Sequence, residues 1–216
     1  VYLVVDKNIA TDKSTKFQTE IIKKLKKKKI DSKVVYANRL QLFDIIRVVK
    51  EIILDHRDDE FYVNVASGSK IHAIACMMAC MVFDYRKNIH PFYPQAKEYP
   101  AYKDNEQQTY GVEEIYGLPT YQLLTPNKDL IEILKIIKEN DGRIQKKVLA
   151  EIAEDRKILN INAREENHSQ ARFASLDKKL IQPLMHTWNF IEEEKIGKNR
   201  WIFFTDDGKN ASEFLF

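Results

Sequence analysis

Eight consecutive residues carry the clearest chemical suggestion in this sequence: Val63-Asn64-Val65-Ala66-Ser67-Gly68-Ser69-Lys70, a strand-like run that passes through small residues into a second apolar stretch. A turn built from Ser and Gly lets a ligand approach the backbone closely. The start of a helix beyond it offers unpaired N–H groups and the positive end of a dipole to an anion. Ser67 and Ser69 add hydroxyls, and Lys70 adds a mobile charge suited to phosphate. The spacing matches neither a P-loop nor a dinucleotide fingerprint. A plain strand-to-helix turn capped by Ser67 therefore fits the same residues.

A second constellation lies between Ser169 and Gln182. Arg172, Ser175, Lys179 and Gln182 fall on one helical face, with Lys178 beside them, while Phe173, Leu176 and Leu180 line the other. Such a polar face has the chemistry to reach base edges and phosphates. Lys195, Lys198 and Arg200 follow on a hairpin pattern. The alternative is the solvated side of a structural helix in a domain used for protein contacts, and Glu165-Glu166 nearby would repel DNA. Glu192-Glu193-Glu194 reads as a solvated strand edge, and Trp188 and Trp201 as hairpin core.

No other grouping suggests chemistry. His56, His72, His90, His168 and His186 are scattered and assemble no nucleophile–base order or carboxylate pair. Only His72, two residues past Lys70, lies near the ligand turn, and it reads as a helix-surface histidine, with a part in cleaving a bound nucleotide as the alternative. Cys76 and Cys80 are the only cysteines, four apart in an apolar helical pattern, and read as buried free thiols rather than metal ligands. No cofactor is expected.

The elements that must position these groups fall into two halves. Apolar runs at Val1–Val5, Val34–Ala37, Phe61–Val65 and Ile89–Tyr93 predict strands, and Leu118–Leu124 predicts another extended segment. Pro91 and Pro94 argue that the fourth is an edge strand. Between them, helix periodicity follows Phe17 to Leu25, Leu42 to Ile53 and Ile71 to Phe83. Strands alternating with helices predict an α/β unit with a mainly parallel sheet. The tyrosine-rich segment Gln95–Gly111 reads as a ligand lid or a surface excursion. At residue 124 the pattern changes. Thr125-Pro126 reads as a helix start; then come three helices and two strands, Phe190–Lys195 and Arg200–Thr205, in the layout of a winged helix. The expected domains are 1–124 and 125–216.

Composition sets the remaining bounds. The 216 residues are 44% hydrophobic and 31% charged, ordinary for a soluble globular protein. The longest apolar stretch, Ile71–Phe83, is too short to cross a bilayer. With no signal peptide pattern at the start, the expected compartment is the cytoplasm. The formal net charge of +3 is too small to argue for nucleic acid by itself, so only local placement can.

The loop Val63–Ile71 with its Ala/Met/Cys-rich helix, the later Glu114-Ile115-Tyr116-Gly117-Leu118-Pro119-Thr120-Tyr121 and the winged-helix pattern together resemble the CARF domain, the CRISPR-associated Rossmann fold. The likeness is to archaeal CARF transcription regulators carrying a C-terminal winged helix. It implies a Rossmann-like domain in a homodimer that binds a cyclic oligoadenylate second messenger, with the winged helix on double-stranded DNA and no membrane. It places Ser67, Gly68, Ser69 and Lys70 on the ligand, Asn64 behind the turn, and Asp6 and Asn8 on the same rim. CARF domains open with a strand and loop that contribute to the pocket. The resemblance implies that these lie upstream of Val1, since a sheet without them would be gapped. A ring nuclease that degrades the ligand, using Lys70 and the ribose hydroxyls, is the alternative.

Overall fold

The computed structural model describes residues 1–8, 15–84, 87–99 and 109–216. The chain divides into two compact units, Val1–Leu124 and Thr125–Phe216.

The first unit alternates strand and helix: β1 (Tyr2–Asp6), α1 (Thr15–Lys27), β2 (Lys33–Ala37), α2 (Leu42–Asp55), β3 (Phe61–Asn64), α3 (Lys70–Phe83), β4 (Ile89–Gln95) and β5 (Glu114–Gly117). The strands form two separate sheets. β1 pairs with β2 in parallel, while β3 pairs with β4 in parallel and β4 with β5 antiparallel. The parallel ladder directs alternate residues to alternate sides. Val1 and Lys7 bond to β2, and Phe61 and Val65 bond to β4. The backbone groups of Tyr2, Val4 and Asp6, and of Tyr62 and Asn64, therefore face the outer edges of β1 and β3. Among the described residues no strand pairs with either edge.

The helix layer is better filled. α2 packs along α3, burying Ile45, Ile46, Val49 and Ile53 against Ala75, Ala79, Cys80 and Phe83. α1 has the amphipathic spacing of a core helix, yet none of its described side chains is fully buried, and Ile21 is 43% exposed.

Two expectations for this unit are corrected. The extended segment expected at Leu118–Leu124 has no regular structure, and the last strand is Glu114–Gly117. β4 lies between two neighbours instead of at an edge, despite its prolines. Pro91 faces β5 opposite Leu118, just beyond that strand, and Pro94 faces β3 beyond Val65, where the ladder has ended. Each proline thus stands at the end of a ladder, where its missing N–H forgoes only a terminal bond. The larger part of the tyrosine-rich segment Gln95–Gly111 falls outside the described residues.

The second unit runs α4 (Lys128–Glu139), β6 (Arg143–Gln145), α5 (Lys146–Asp155), α6 (Glu165–Leu176), β7 (Ile191–Ile196), β8 (Asn199–Phe204) and α7 (Asp206–Leu215). It is a winged helix: three helices, then a hairpin whose second strand lies between β6 and β7. α4 starts two residues later than expected. Asn127 is its cap, accepting from the Leu130 N–H at 3.0 Å, in place of Thr125. α6 continues without a break through two π-helical turns, Asp177–Ile181 and Pro183–Thr187. Pro183 accounts for the first of them: its ring would strike the carbonyl four residues back in a tight α-turn and it has no N–H to give, and the Gln182 N–H reaches back to Asp177. In the second, the Trp188 N–H reaches back five residues, to the Pro183 carbonyl at 3.1 Å.

One core ties the unit together. Ile133, Leu134, Ile136 and Ile137 of α4 meet Leu149, Leu176, Ile181, Leu184, Ile191 and Ile202, all at 2% exposure or less. Packing is tight where α7 backs onto the hairpin. A Cβ on Gly208 would stand 1.9 Å from the Phe190 carbonyl oxygen.

Candidate functional site

In the first unit the chemistry sits at the carboxyl ends of β1 and β3, where α/β sheets collect ligands. Asn64 closes β3 and folds back on the turn, its Oδ1 accepting the Ala66 N–H at 2.9 Å. Ser67, Gly68, Ser69 and Lys70 are all exposed. Gly68 holds φ +88°, where a side chain would be strained, and its missing Cβ leaves room for His72, whose Cβ would lie 3.1 Å away. Ser69, not Ser67, is the helix cap: its Oγ accepts the His72 N–H at 3.3 Å and lies 3.0 Å from His72 Nδ1. Lys70 makes no ion pair among the described residues. The loop therefore offers a hydroxyl at Ser67, an ammonium at Lys70 and the first N–H groups of α3 to solvent.

Asp6 and Asn8 end β1, but Asp6 is turned inward. It is 7% exposed, its Oδ2 is 2.9 Å from Arg39 Nε, and its Oδ1 accepts the Asn8 N–H at 3.1 Å. Its carboxylate thus orders the loop after β1 and brings Arg39 to that strand end, a residue the spacing argument did not single out. Beside it, Lys7, Asn38, Arg47 and Asp44 form a charged knot. Burial would raise the Asp44 carboxyl, but the Asn38 N–H and the Lys7 and Arg47 cations outweigh it and hold it at about 2. On α3, burial pushes the Cys76 and Cys80 thiols up to about 11 and about 12, so they are inert as nucleophiles at neutral pH.

In the second unit the polar helix face divides. Lys178, Lys179 and Gln182 are exposed and Ser175 is half-buried. Arg172 is turned toward α5, where it pairs with Glu154 at 3.1 Å. At the tip of the hairpin, Lys195 and Lys198 are exposed beside the Gly197 turn. Arg200 is tied to Glu193.

Glu193 is not the solvated edge residue expected of it. Its side chain is 12% exposed and its Oε2 accepts from Lys146 Nζ at 2.7 Å. Burial raises its carboxyl, and the Lys146 and Arg200 cations together overcome this and lower it. Lys146 is itself 7% exposed and also stands 2.5 Å from Asp177 Oδ1. That second contact is an ion pair without hydrogen-bond geometry, since Asp177 Oδ1 accepts no hydrogen bond. Next to this network a hollow of about 420 Å³ is lined by Gln145, Lys147, Phe173, Asp177, Lys198 and Asn199. Lys146 carries no local signal of this role and reads as an ordinary lysine near a helix start.

Residues 129–215 match the family model described as "DUF6293 C-terminal winged helix domain", and residues 1–99 match the model described as "HFX_2341_N:-like, N-terminal". A curated relative, the uncharacterized protein MJ1513 of Methanocaldococcus jannaschii, is 27% identical over 167 residues, covering 66% of this chain and 50% of the relative. The chain thus spans about half the length of that relative. Among solved structures, Can2 from Sulfobacillus thermosulfidooxidans in complex with cyclic tetra-adenylate aligns over 99% of this chain and 54% of its own, at 15% identity and a TM-score of 0.37. No described helix is long and apolar enough to cross a membrane.

Proposed function

We propose that this chain is the sensing and DNA-binding part of a transcription regulator, acting as a homodimer in CRISPR-linked antiviral defence. The first unit takes an anionic nucleotide of the cyclic oligoadenylate type, and the winged helix takes double-stranded DNA. The observation that carries the reading is the Ser67–Lys70 loop: an exposed ammonium, a hydroxyl and a helix start at the carboxyl end of a parallel strand. Its likeness to the CARF loop supplies the ligand class. Support for DNA comes from the winged-helix match together with the exposed Lys178, Lys179, Gln182 and Lys198. Of the other candidates, Arg172 serves the interface indirectly by fixing α6 against α5.

Calorimetric titration of the protein with cyclic tetra- and hexa-adenylate tests the ligand. Saturable binding that Lys70→Ala weakens roughly tenfold, with the variant still folded, is the expected result. Unchanged affinity in that variant would remove Lys70 from the site. On the DNA side, replacing Lys178 and Lys179 by Ala should weaken binding to any duplex and reduce the salt slope by about 2.

The Ser69–His72 pair favours a second reading, a ring nuclease. There a ribose 2′-hydroxyl attacks the adjacent phosphorus as His72 takes its proton, the bond to the 5′-oxygen breaks, and His72 returns the proton to that oxygen, leaving a 2′,3′-cyclic phosphate and a 5′-hydroxyl. Chromatographic detection of linear product from cyclic tetra-adenylate, lost in His72→Ala, would replace the sensor reading with this one.

A further inference from the structure

We propose that Lys146 is a positioning residue of the DNA interface, fixing the hairpin against the long helix so that both can engage one duplex. The proposal rests on the DNA-binding reading above. It begins from a cost. Lysine is almost never this buried unless paired, and desolvating an ammonium opposes folding. Met in its place would fill the same space without that penalty, so retaining the charge calls for a reason.

The reason lies in what the ammonium joins. From the start of α5 it reaches Glu193 on β7 and Asp177 where α6 enters its first π-helical turn. Glu193 in turn takes Arg200 on β8. Three elements are thus held through one nitrogen.

Apolar packing holds only the inner half of the hairpin. The inward residues Ile191, Ile202 and Phe204 belong to the core. On the same face Glu193 stands directly across from Ile202, and further out that face carries only Lys195 and Arg200, both exposed. Beneath that outer half lies the 420 Å³ hollow instead of side chains. The ionic network is therefore what sets the distance between the tip and the helix.

The same network determines which cations are left for DNA. Arg200 and Lys146 are neutralised by Glu193 and Asp177. Lys147 on α5 and Lys198 on the hairpin, which both line the hollow, make no ion pair among the described residues. A duplex phosphate can meet both only if the hairpin is held in place.

The test is a double-mutant cycle between Lys146 and Lys198, which do not pair with each other. The full chain is titrated with a random-sequence duplex of about 30 base pairs at several salt concentrations. Lys198→Ala should weaken binding about fivefold in the unsubstituted protein and less than about twofold once Lys146→Met is present. Lys146→Met alone should weaken binding about tenfold and reduce the salt slope by roughly 1. It should also speed hydrogen exchange of the outer hairpin amides, and Lys146→Arg should reverse all three changes. The same fold-loss from Lys198→Ala in both backgrounds, or unchanged hairpin exchange in Lys146→Met, would overturn the proposal. If Lys146→Met does not fold, Glu193→Gln opens the clamp from the other side and must give the same pattern. Failure of the unsubstituted chain to bind duplex would sink the DNA-binding reading instead, and the exchange measurement, which needs no DNA, would still judge the clamp.

Discussion

The two units of this chain are built from similar residues and packed very differently. Of the twelve largest fully buried side chains, only Ile45 and Ile46 belong to the first unit, although it is the longer. Of eighteen large hydrophobic side chains left exposed among the described residues, sixteen belong to it. The winged helix hides its apolar residues in one core; the α/β unit pairs α2 with α3 but, among the described residues, leaves two strand edges and a sheet face open. Tyr62 is 72% exposed and Ile115 62%, around a shallow apolar hollow of about 440 Å³ with His90, Phe92 and Gly117. Apolar surface on this scale is uncommon on isolated domains. The difference teaches that the second unit is stable through its own core, whereas the first has surface still to cover.

Hydrogen exchange should show the largest contrast. The amides of Val4, Asp6, Tyr62 and Asn64 lie on unpaired edges and should exchange at nearly unprotected rates, while Trp201, Ile202 and Phe203 of β8 are flanked by strands on both sides. For a domain of ordinary stability the ratio should be roughly 10³ or more. Protection of the four edge amides would mean that something covers them, and would break the comparison. Unfolding should separate as well. Both tryptophans, Trp188 and Trp201, lie in the second unit, so their fluorescence reports it alone while far-ultraviolet circular dichroism reports both. The two melting curves should not coincide.

Matched truncations come next in size. Leu134→Ala empties a fully buried position and should cost about 2–5 kcal/mol. Ile21→Ala on α1 should stay within about 0.5 kcal/mol, because that side chain is already 43% in water. Equal costs in chemical denaturation would mean that α1 is packed as its periodicity suggests.

That contrast also marks what the sequence could tell. Periodicity located α1 to α3 and the winged-helix strands to within a few residues, because each pattern is local and long enough to repeat. The apolar face spaced along α1 does not show how deeply that helix is buried, since amphipathicity records what a helix is suited to meet and not what it meets. β6 escaped notice because three residues, Arg143-Ile144-Gln145, cannot show alternation. A uniform helical repeat places Arg172 on the polar face of α6, but its actual position depends on Glu154, eighteen residues away in a different helix. Glu193 and Lys146 each look solvated alone; only their pairing across 47 residues makes burial affordable. The candidate loop was legible as chemistry, and the structure moved its cap from Ser67 to Ser69.

The smallest effect expected is one of pH, and it sets the charged knot of the first unit against the apolar core of the second. Asp44 receives the Asn38 N–H, Lys7 and Arg47, joining the end of β1 to the loop before α2. Its carboxyl sits at about 2 in the folded chain against about 3.9 in an unfolded one. The folded value is the lower, so the knot contributes its full stability above about pH 4 and loses it as the pH falls toward 2. With Lys7 half in water, solvent screening keeps the contribution to about 1 kcal/mol or less. Asp44→Asn should therefore flatten the acid limb of the dichroism-detected transition between pH 4 and 2 and leave the tryptophan-detected transition where it was. A shift of the tryptophan transition as well would show that the two units unfold together, and the contrast in their packing would then have no consequence for stability.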